Sequence, residues 1–233
     1  MERYSRQLKL IGRDKQKKIA GSTVTVIGAG GLGSSALLYL AAAGVGRIRI
    51  VDCERVELSN LNRQVIYTEK DVGKKKSAAA AKRLMRLNGE ISVEAMDIKV
   101  DAGNARETIK GSDVVLDCLD NWGARFVVNR ACVEEKIPLI HGAVEDMCGQ
   151  LMVVRPEGPC LACVFSERLS AEKRELDVIG FTPGVVGCME GMEAIKIITG
   201  KESLRDELLL MDLETDEFQK IRIAKKEGCE VCG

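Results

Sequence analysis

Nine cysteines punctuate the 233-residue chain, and four of them fall in two pairs of equal spacing, CLAC at Cys160 and Cys163 and CEVC at Cys229 and Cys232. Each pair supplies half of a tetrahedral thiolate site, and joining the two across residues 164–228 would tie the C-terminus back onto the fold. A closed Zn²⁺ site of this kind is structural, because four protein ligands leave no open position for a substrate. With one histidine, His141, no site built on two histidines can form within one chain. Two unrelated pairs of free thiols are the alternative.

A second constellation is TVTVIGAGGLGSS, residues 23–35, where G-x-G-x-x-G follows a β-branched run and opens a helical stretch. Gly28 permits the turn, Gly30 and Gly31 let a phosphate approach the backbone, and Gly33 allows close helix packing. The free amides at the helix start favour an anion. Asp52, ending the next strand, would bind the ribose hydroxyls. A tight strand-to-helix turn without a ligand is the alternative.

The ligand is either NAD or a nucleoside triphosphate. GAGGLGSS nearly satisfies the G-x-x-x-x-G-K-[ST] loop, but Ser34 stands where that loop has its lysine, so the positive charge must come from elsewhere. Two sources follow: Arg63 in SNLNRQ, and Lys74 to Lys76, which open the next helix. Cations at a helix N-terminus oppose the dipole by about 0.3–1 kcal/mol each, a conflict that a polyphosphate would relieve. VVLDCLDN then places Asp117 and Asp120 at the carboxyl edge of the sheet. There Asp120 either holds Mg²⁺ or caps the following helix.

The elements that must position these groups can be read from periodicity. Helical spacing covers residues 3–19, 33–43, 73–87 and 102–109, with strands at 23–27, 47–51, 92–98 and 114–118. This series predicts an α/β fold with a Rossmann-like parallel sheet in the first half. A helix from Trp122 and a short strand at 138–141 follow; QLMVVRP and ELLLMDLETDEFQKIRIA then read as antiparallel strands extending the sheet, the latter turning at Glu214 to Asp216. Between them runs a helix from Pro183 to Thr199, apolar on nearly all sides and closed by Gly200, which suits a core or a subunit interface. Nothing marks an internal boundary, so residues 1–233 are expected to form one domain, with a nucleotide-binding half to about 145 and a half with the metal site from about 146.

Thirty-five acidic and thirty-five basic side chains cancel, leaving no global field to recruit nucleic acid or an anionic membrane. The charged start and the short apolar stretches predict no membrane span, and the unpaired cysteine count suits a cytoplasmic protein.

ERYSRQ at 2–7, GAGGLGSS, VD at 51, SNLNRQ at 59, VGKKK at 72, LDCLDN at 116 and the paired C-x₂-C motifs occur in an order that resembles the ubiquitin-activating superfamily in its small prokaryotic form, the MoeB, ThiF and HesA adenylyltransferases. The resemblance covers essentially the whole chain. It implies adenylation of the C-terminal glycine of a small ubiquitin-like sulfur carrier ending in Gly-Gly, with ATP and Mg²⁺ consumed and pyrophosphate released. It also implies that Gly28, Gly30, Gly31, Asp52, Ser59, Asn60, Arg63, Lys76, Asp120 and Asn121 surround ATP, with Asp120 on Mg²⁺. Arg6 resembles an arginine that reaches the site of the other subunit, which makes a homodimer the expected unit. Arg6, Arg63, Lys76 and Asp120 are thus the expected catalytic set, and positioning plus positive charge carry the reaction. His141 is expected to be structural.

One departure matters. Relatives of this kind often carry a cysteine between the first C-x₂-C and the apolar helix, and residues 164–187 contain none; the matching position falls near Lys173. The chemistry is therefore expected to stop at the acyl-adenylate, with Cys188 the remaining thiol candidate and with sulfur supplied by a separate donor. The molybdopterin, thiamine and tRNA-thiolation pathways stay open. So do an NAD-dependent oxidoreductase and a non-catalytic carrier-binding protein.

Overall fold

The computed structural model describes residues 2–165 and 177–233. Strands β1 (Thr23–Ile27), β2 (Arg47–Val51), β3 (Ser92–Met96), β4 (Val114–Asp117), β5 (Leu139–Glu145), β6 (Cys148–Val154), β7 (Glu207–Asp212) and β8 (Glu217–Arg222) form one sheet in the order β3-β2-β1-β4-β5-β6-β7-β8. β1 to β5 pair in parallel, and β5 through β8 pair antiparallel. Because β2 and β4 flank β1 on opposite sides, the strand order reverses there, and doubly wound sheets bind ligands at such a point.

The helices are α1 (Ser5–Gly21), α2 (Gly31–Ala43), α3 (Lys76–Leu87), α4 (Ala105–Ile109), α5 (Trp122–Glu135), α6 (Leu161–Val164) and α7 (Phe181–Thr199). They divide between two faces. Leu37, Leu40, Leu84, Val186 and Ala194 pack with Val24, Val26 and Leu116 on one face, whereas Ile109, Phe126, Val128 and Leu161 pack with Ile27, Val115 and Leu139 on the other. The period of two along β4, with Val114 and Leu116 on one face and Val115 on the other, is what lets one strand serve both cores.

Several boundaries differ from the sequence expectation for local reasons. α3 starts at Lys76 instead of Gly73, because Gly73 has φ +84° and Arg55 bridges Lys75 as in a short strand pair. α4 starts at Ala105 instead of Ala102, since Asp101 Oδ1 accepts from the Gly103 and Asn104 amides and holds them in a turn. β5 runs on to Glu145, past the expected end at His141. α1 is broken at Gly12, with φ +80°.

Candidate nucleotide site and thiolate cluster

The glycine turn leaves the end of β1. Gly28 has φ +96°, and a Cβ there would overlap the Cys118 carbonyl after β4; a Cβ on Gly33 would overlap the Gly28 carbonyl. These two contacts bring β1, β4 and α2 together at the switch point. Gly30 precedes α2 and Gly31 begins it, with no side chain capping the helix, so its first amides face the loop. Pro183 of α7 and the Arg63 side chain lie against Gly31.

Asp52 follows β2 and is half-buried; its Oδ2 accepts from the Ala29 amide at 2.8 Å and its Oδ1 from the Glu54 amide at 2.8 Å. Burial raises its pKa, against the lowering effect of those two amides. The carboxylate is thereby fixed beside the glycine turn with lone pairs left to accept from a ribose.

Residues 57–67 then cross the turn. Asn60 is buried, its Oδ1 accepting from the Glu57 amide at 3.1 Å, while Ser59 is exposed. Arg63 is half-buried, and its Nη1 donates to the Ser59 carbonyl and to Asn62 Oδ1, each at 3.0 Å. Two residues that sequence reasoning missed complete this strap. Tyr67 is buried and donates to the Ala29 carbonyl at 2.9 Å and the Lys76 carbonyl at 3.3 Å, joining the glycine turn to α3. Gln64 is buried beside Gly30, with an Oε1 that has no partner among the described residues.

Each lysine at the start of α3 has a carboxylate: Lys74 pairs with Asp71 at 2.9 Å, Lys75 with Asp97 at 2.9 Å and Lys76 with Glu54 at 2.6 Å. The dipole conflict expected of this run is thus already offset by protein groups. Only Lys76 is buried, which singles it out from its neighbours.

After β4 the two aspartates separate. Asp117 is fully buried, with Oδ2 at 2.8 Å from His141 Nδ1, and His141 Nε2 lies 3.1 Å from Gln150 Nε2. Burial lowers the His141 pKa against the raising effect of its Asp117 hydrogen bond, and both ring nitrogens face protein groups. The expectation that Asp117 also faces the ligand edge is corrected: its carboxylate belongs to the interior. Asp120 is exposed. The cap of α5 falls to Asn121, whose Oδ1 accepts from the Ala124 amide at 2.9 Å, which leaves the Asp120 carboxylate outside the cap.

Arg6 is exposed on α1 and is not brought to this site within the chain. Its neighbour Gln7 donates to the Ala43 carbonyl at the opposite end of α2 from the glycine turn.

The four paired cysteines converge. Cys160 Sγ lies 3.9 Å from Cys163 Sγ and 3.8 Å from Cys229 Sγ, and Cys163 Sγ lies 3.4 Å from Cys232 Sγ. Tetrahedral Zn–S bonds of about 2.3 Å place sulfurs about 3.8 Å apart, so the donor set and spacing fit one such ion. The Cys229 thiol is held down to about 7 by the Cys232 and Val231 amides against the opposing effect of burial, whereas burial raises Cys160 and Cys232. Cys229 and Cys160 also sit within the second core, so the cluster anchors the chain end there.

Cys188 is half-buried on α7, where burial raises its pKa against the lowering effect of the Ser35 hydroxyl. With Phe181, Val185 and Met189 it lines an apolar cavity of about 1130 Å³ that also reaches Asn62 and Met147. Lys173, the position where relatives often carry a cysteine, lies outside the described residues.

A glycine turn at the reversal of a doubly wound sheet, flanked by a fixed carboxylate and a buried lysine, defines a nucleotide-binding α/β protein, here with a thiolate cluster on its second face. The chain belongs to the ThiF family, whose profile matches residues 4–231. It is 40% identical over 240 residues to the SAMP-activating enzyme E1 of Haloferax volcanii, covering 100% of this chain and 89% of that one. It is 39% identical over 237 residues to the sulfur carrier protein ThiS adenylyltransferase of Escherichia coli K12, covering 99% and 94%. The fold matches a crystal structure of E. coli MccB with ATP at a TM-score of 0.90 and 23% identity, covering 100% of this chain and 75% of that one. Among the described residues no helix is long and apolar enough to cross a membrane.

Proposed function

We propose that this protein is an ATP-dependent adenylyltransferase that activates the C-terminal glycine carboxylate of a small ubiquitin-like sulfur carrier as an acyl-adenylate. The observation that carries the reading is the junction of the glycine turn, Asp52 and the buried Lys76, tied together by the Ala29 amide and the Tyr67 hydroxyl. The free amides of α2 take phosphate, Asp52 takes ribose, and Asn60, Arg63 and Lys76 surround the triphosphate, with Ser59 and Asn121 at its margin. Asp120 is the group to hold Mg²⁺, which would neutralise phosphate charge where pyrophosphate departs. The carrier carboxylate, ionised at neutral pH, then attacks the α-phosphorus without a general base.

Three further assignments accompany this reading. The thiolate cluster holds one structural Zn²⁺ per chain. Phe181, Val185, Cys188 and Met192 recur at intervals that put them on one side of α7, and Phe181 at 79% and Met192 at 57% exposure suit the face of a homodimer. The chemistry stops at the adenylate, because the raised pKa of Cys188 opposes a thiolate and sulfur comes from a separate donor. Thiols in this number suit a reducing cytoplasm.

Carrier-dependent ATP–pyrophosphate exchange is the test. Exchange that rises with a Gly-Gly-ending carrier, and a carrier mass increased by AMP, are the expected results. NADH binding without ATP binding would favour a dinucleotide oxidoreductase, and ATP binding without exchange a carrier-binding protein.

A further inference from the structure

We propose that Glu54 is a resident carboxylate that occupies Lys76 in the ATP-free protein and gives it up to the triphosphate, so that nucleotide binding is an exchange of anions at one buried ammonium. The inference rests on the nucleotide reading above. Of the three lysines that open α3, Lys76 alone has its side chain out of water, 5% exposed, and its Nζ lies 2.6 Å from Glu54 Oε2. The Glu54 side chain is 63% exposed. The pair is therefore lopsided: the cation is fixed in the protein, and the anion can swing into solvent.

A buried ammonium without a partner is costly, so some anion must face Lys76 whether or not ATP is present. Glu54 meets that requirement in the free protein. The position of Lys76 does not depend on the carboxylate, because its amide donates to the Glu54 carbonyl at 2.9 Å and Arg55 bridges Lys75 beside it. The Glu54 amide in turn donates to Asp52 Oδ1 at 2.8 Å, which joins the ribose end of the site to the phosphate end through one residue. Removing the carboxylate leaves both backbone links in place and takes away only the competitor. Glu54 thus lowers the affinity for ATP while giving the buried Lys76 side chain an anionic partner between turnovers.

The test is calorimetric titration with ATP and Mg²⁺ of wild type, Glu54→Gln, Lys76→Met and the double variant, each shown by its melting curve to be folded. Glu54→Gln is expected to bind ATP about two- to tenfold more tightly. Glu54→Ala should do the same. In the Lys76→Met background Glu54→Gln is expected to change nothing, because the two side chains act as a unit. Unchanged or weaker binding by Glu54→Gln in the presence of Lys76 would overturn the exchange, and so would equal tightening in both backgrounds, which marks plain repulsion between Glu54 and the phosphates. Wild type that fails to bind ATP removes the nucleotide reading itself, whereas wild type that binds with Glu54→Gln unaltered removes the exchange alone.

Discussion

The side chains around the glycine turn divide into those tied to protein groups and those left facing outward, and the division sets what each substitution does. Asp120 is exposed and outside the α5 cap, and Arg63 is held by two acceptors of its own strap. Asp120→Ala and Arg63→Ala are therefore expected to abolish pyrophosphate exchange while moving the melting temperature little. Exchange at the wild-type rate in both would sink the assignment. Glu190 behaves differently. It is fully buried on α7 with Cys118 Sγ 3.5 Å from its Oε2, and burial beside Asp117 raises its pKa well above the usual carboxylate range, against the lowering effect of Cys118, Arg125 and the Gly142 amide. A raised pKa in the folded state means that folding favours the protonated carboxyl. Stability is then lost as pH rises from the unfolded value towards the folded one. Glu190→Gln, which stays neutral, is expected to match wild type near pH 4 and to be more stable by about 1–3 kcal/mol at pH 8. Urea unfolding at the two pH values checks it, and parallel pH profiles would refute it.

At the scale of elements, β1 and β2 match their expected bounds because TVTVI is β-branched throughout and RIRIV is β-branched at Ile48, Ile50 and Val51. β5 was under-read. Gly142 interrupts its pattern, and the reason is tertiary: a Cβ there would stand against the Glu190 carboxyl, a partner 48 positions away that no local window contains. The same distance effect hid Gln64 and Tyr67, whose roles depend on the glycine turn packing over them. The cap of α5 was expected at Asp120 if that residue did not hold Mg²⁺, and the structure gives it to Asn121 instead, so Asn121→Ala is expected to cost about 1 kcal/mol of stability. The thiolate cluster was legible because its ligand spacing is local within each pair and the two matched pairs together make one four-thiolate set, and the four sulfurs do converge. Loss of an ion from four thiols that sit partly in the second core should loosen that face without unfolding the first. Cys229→Ser is expected to lose zinc, measured by metal analysis, and to melt at lower temperature with ATP binding retained. Wild-type protein purified without chelator and free of zinc would contradict the assignment.

At the scale of the whole molecule, the placement of Arg6 becomes the deciding matter. α2 spans 13 residues, about 18 Å, and α1 packs against its far end through Gln7 and the Ala43 carbonyl. An arginine side chain cannot cover that length, so Arg6 cannot serve the glycine turn of its own chain from this position. If it acts, it acts on a second copy, and the apolar row on α7 supplies a face for that copy near the same site, since Pro183 touches Gly31 and Gly180 lies against Asn62. Met192→Glu, which puts a charge on that row, is expected to give a monomer with little exchange activity. The sharper test is complementation. An Arg6→Ala chain keeps its own Lys76, and a Lys76→Ala chain keeps its own Arg6. In a mixed dimer one site then has both groups and the other has neither. Equal mixing with free exchange makes half the dimers mixed, so activity should recover to about a quarter of wild type, whereas each variant alone stays inactive. An arginine acting within its own chain would give no recovery, because every site would still lack one group. Verified mixed dimers without activity would thus return Arg6 to the solvated face of α1.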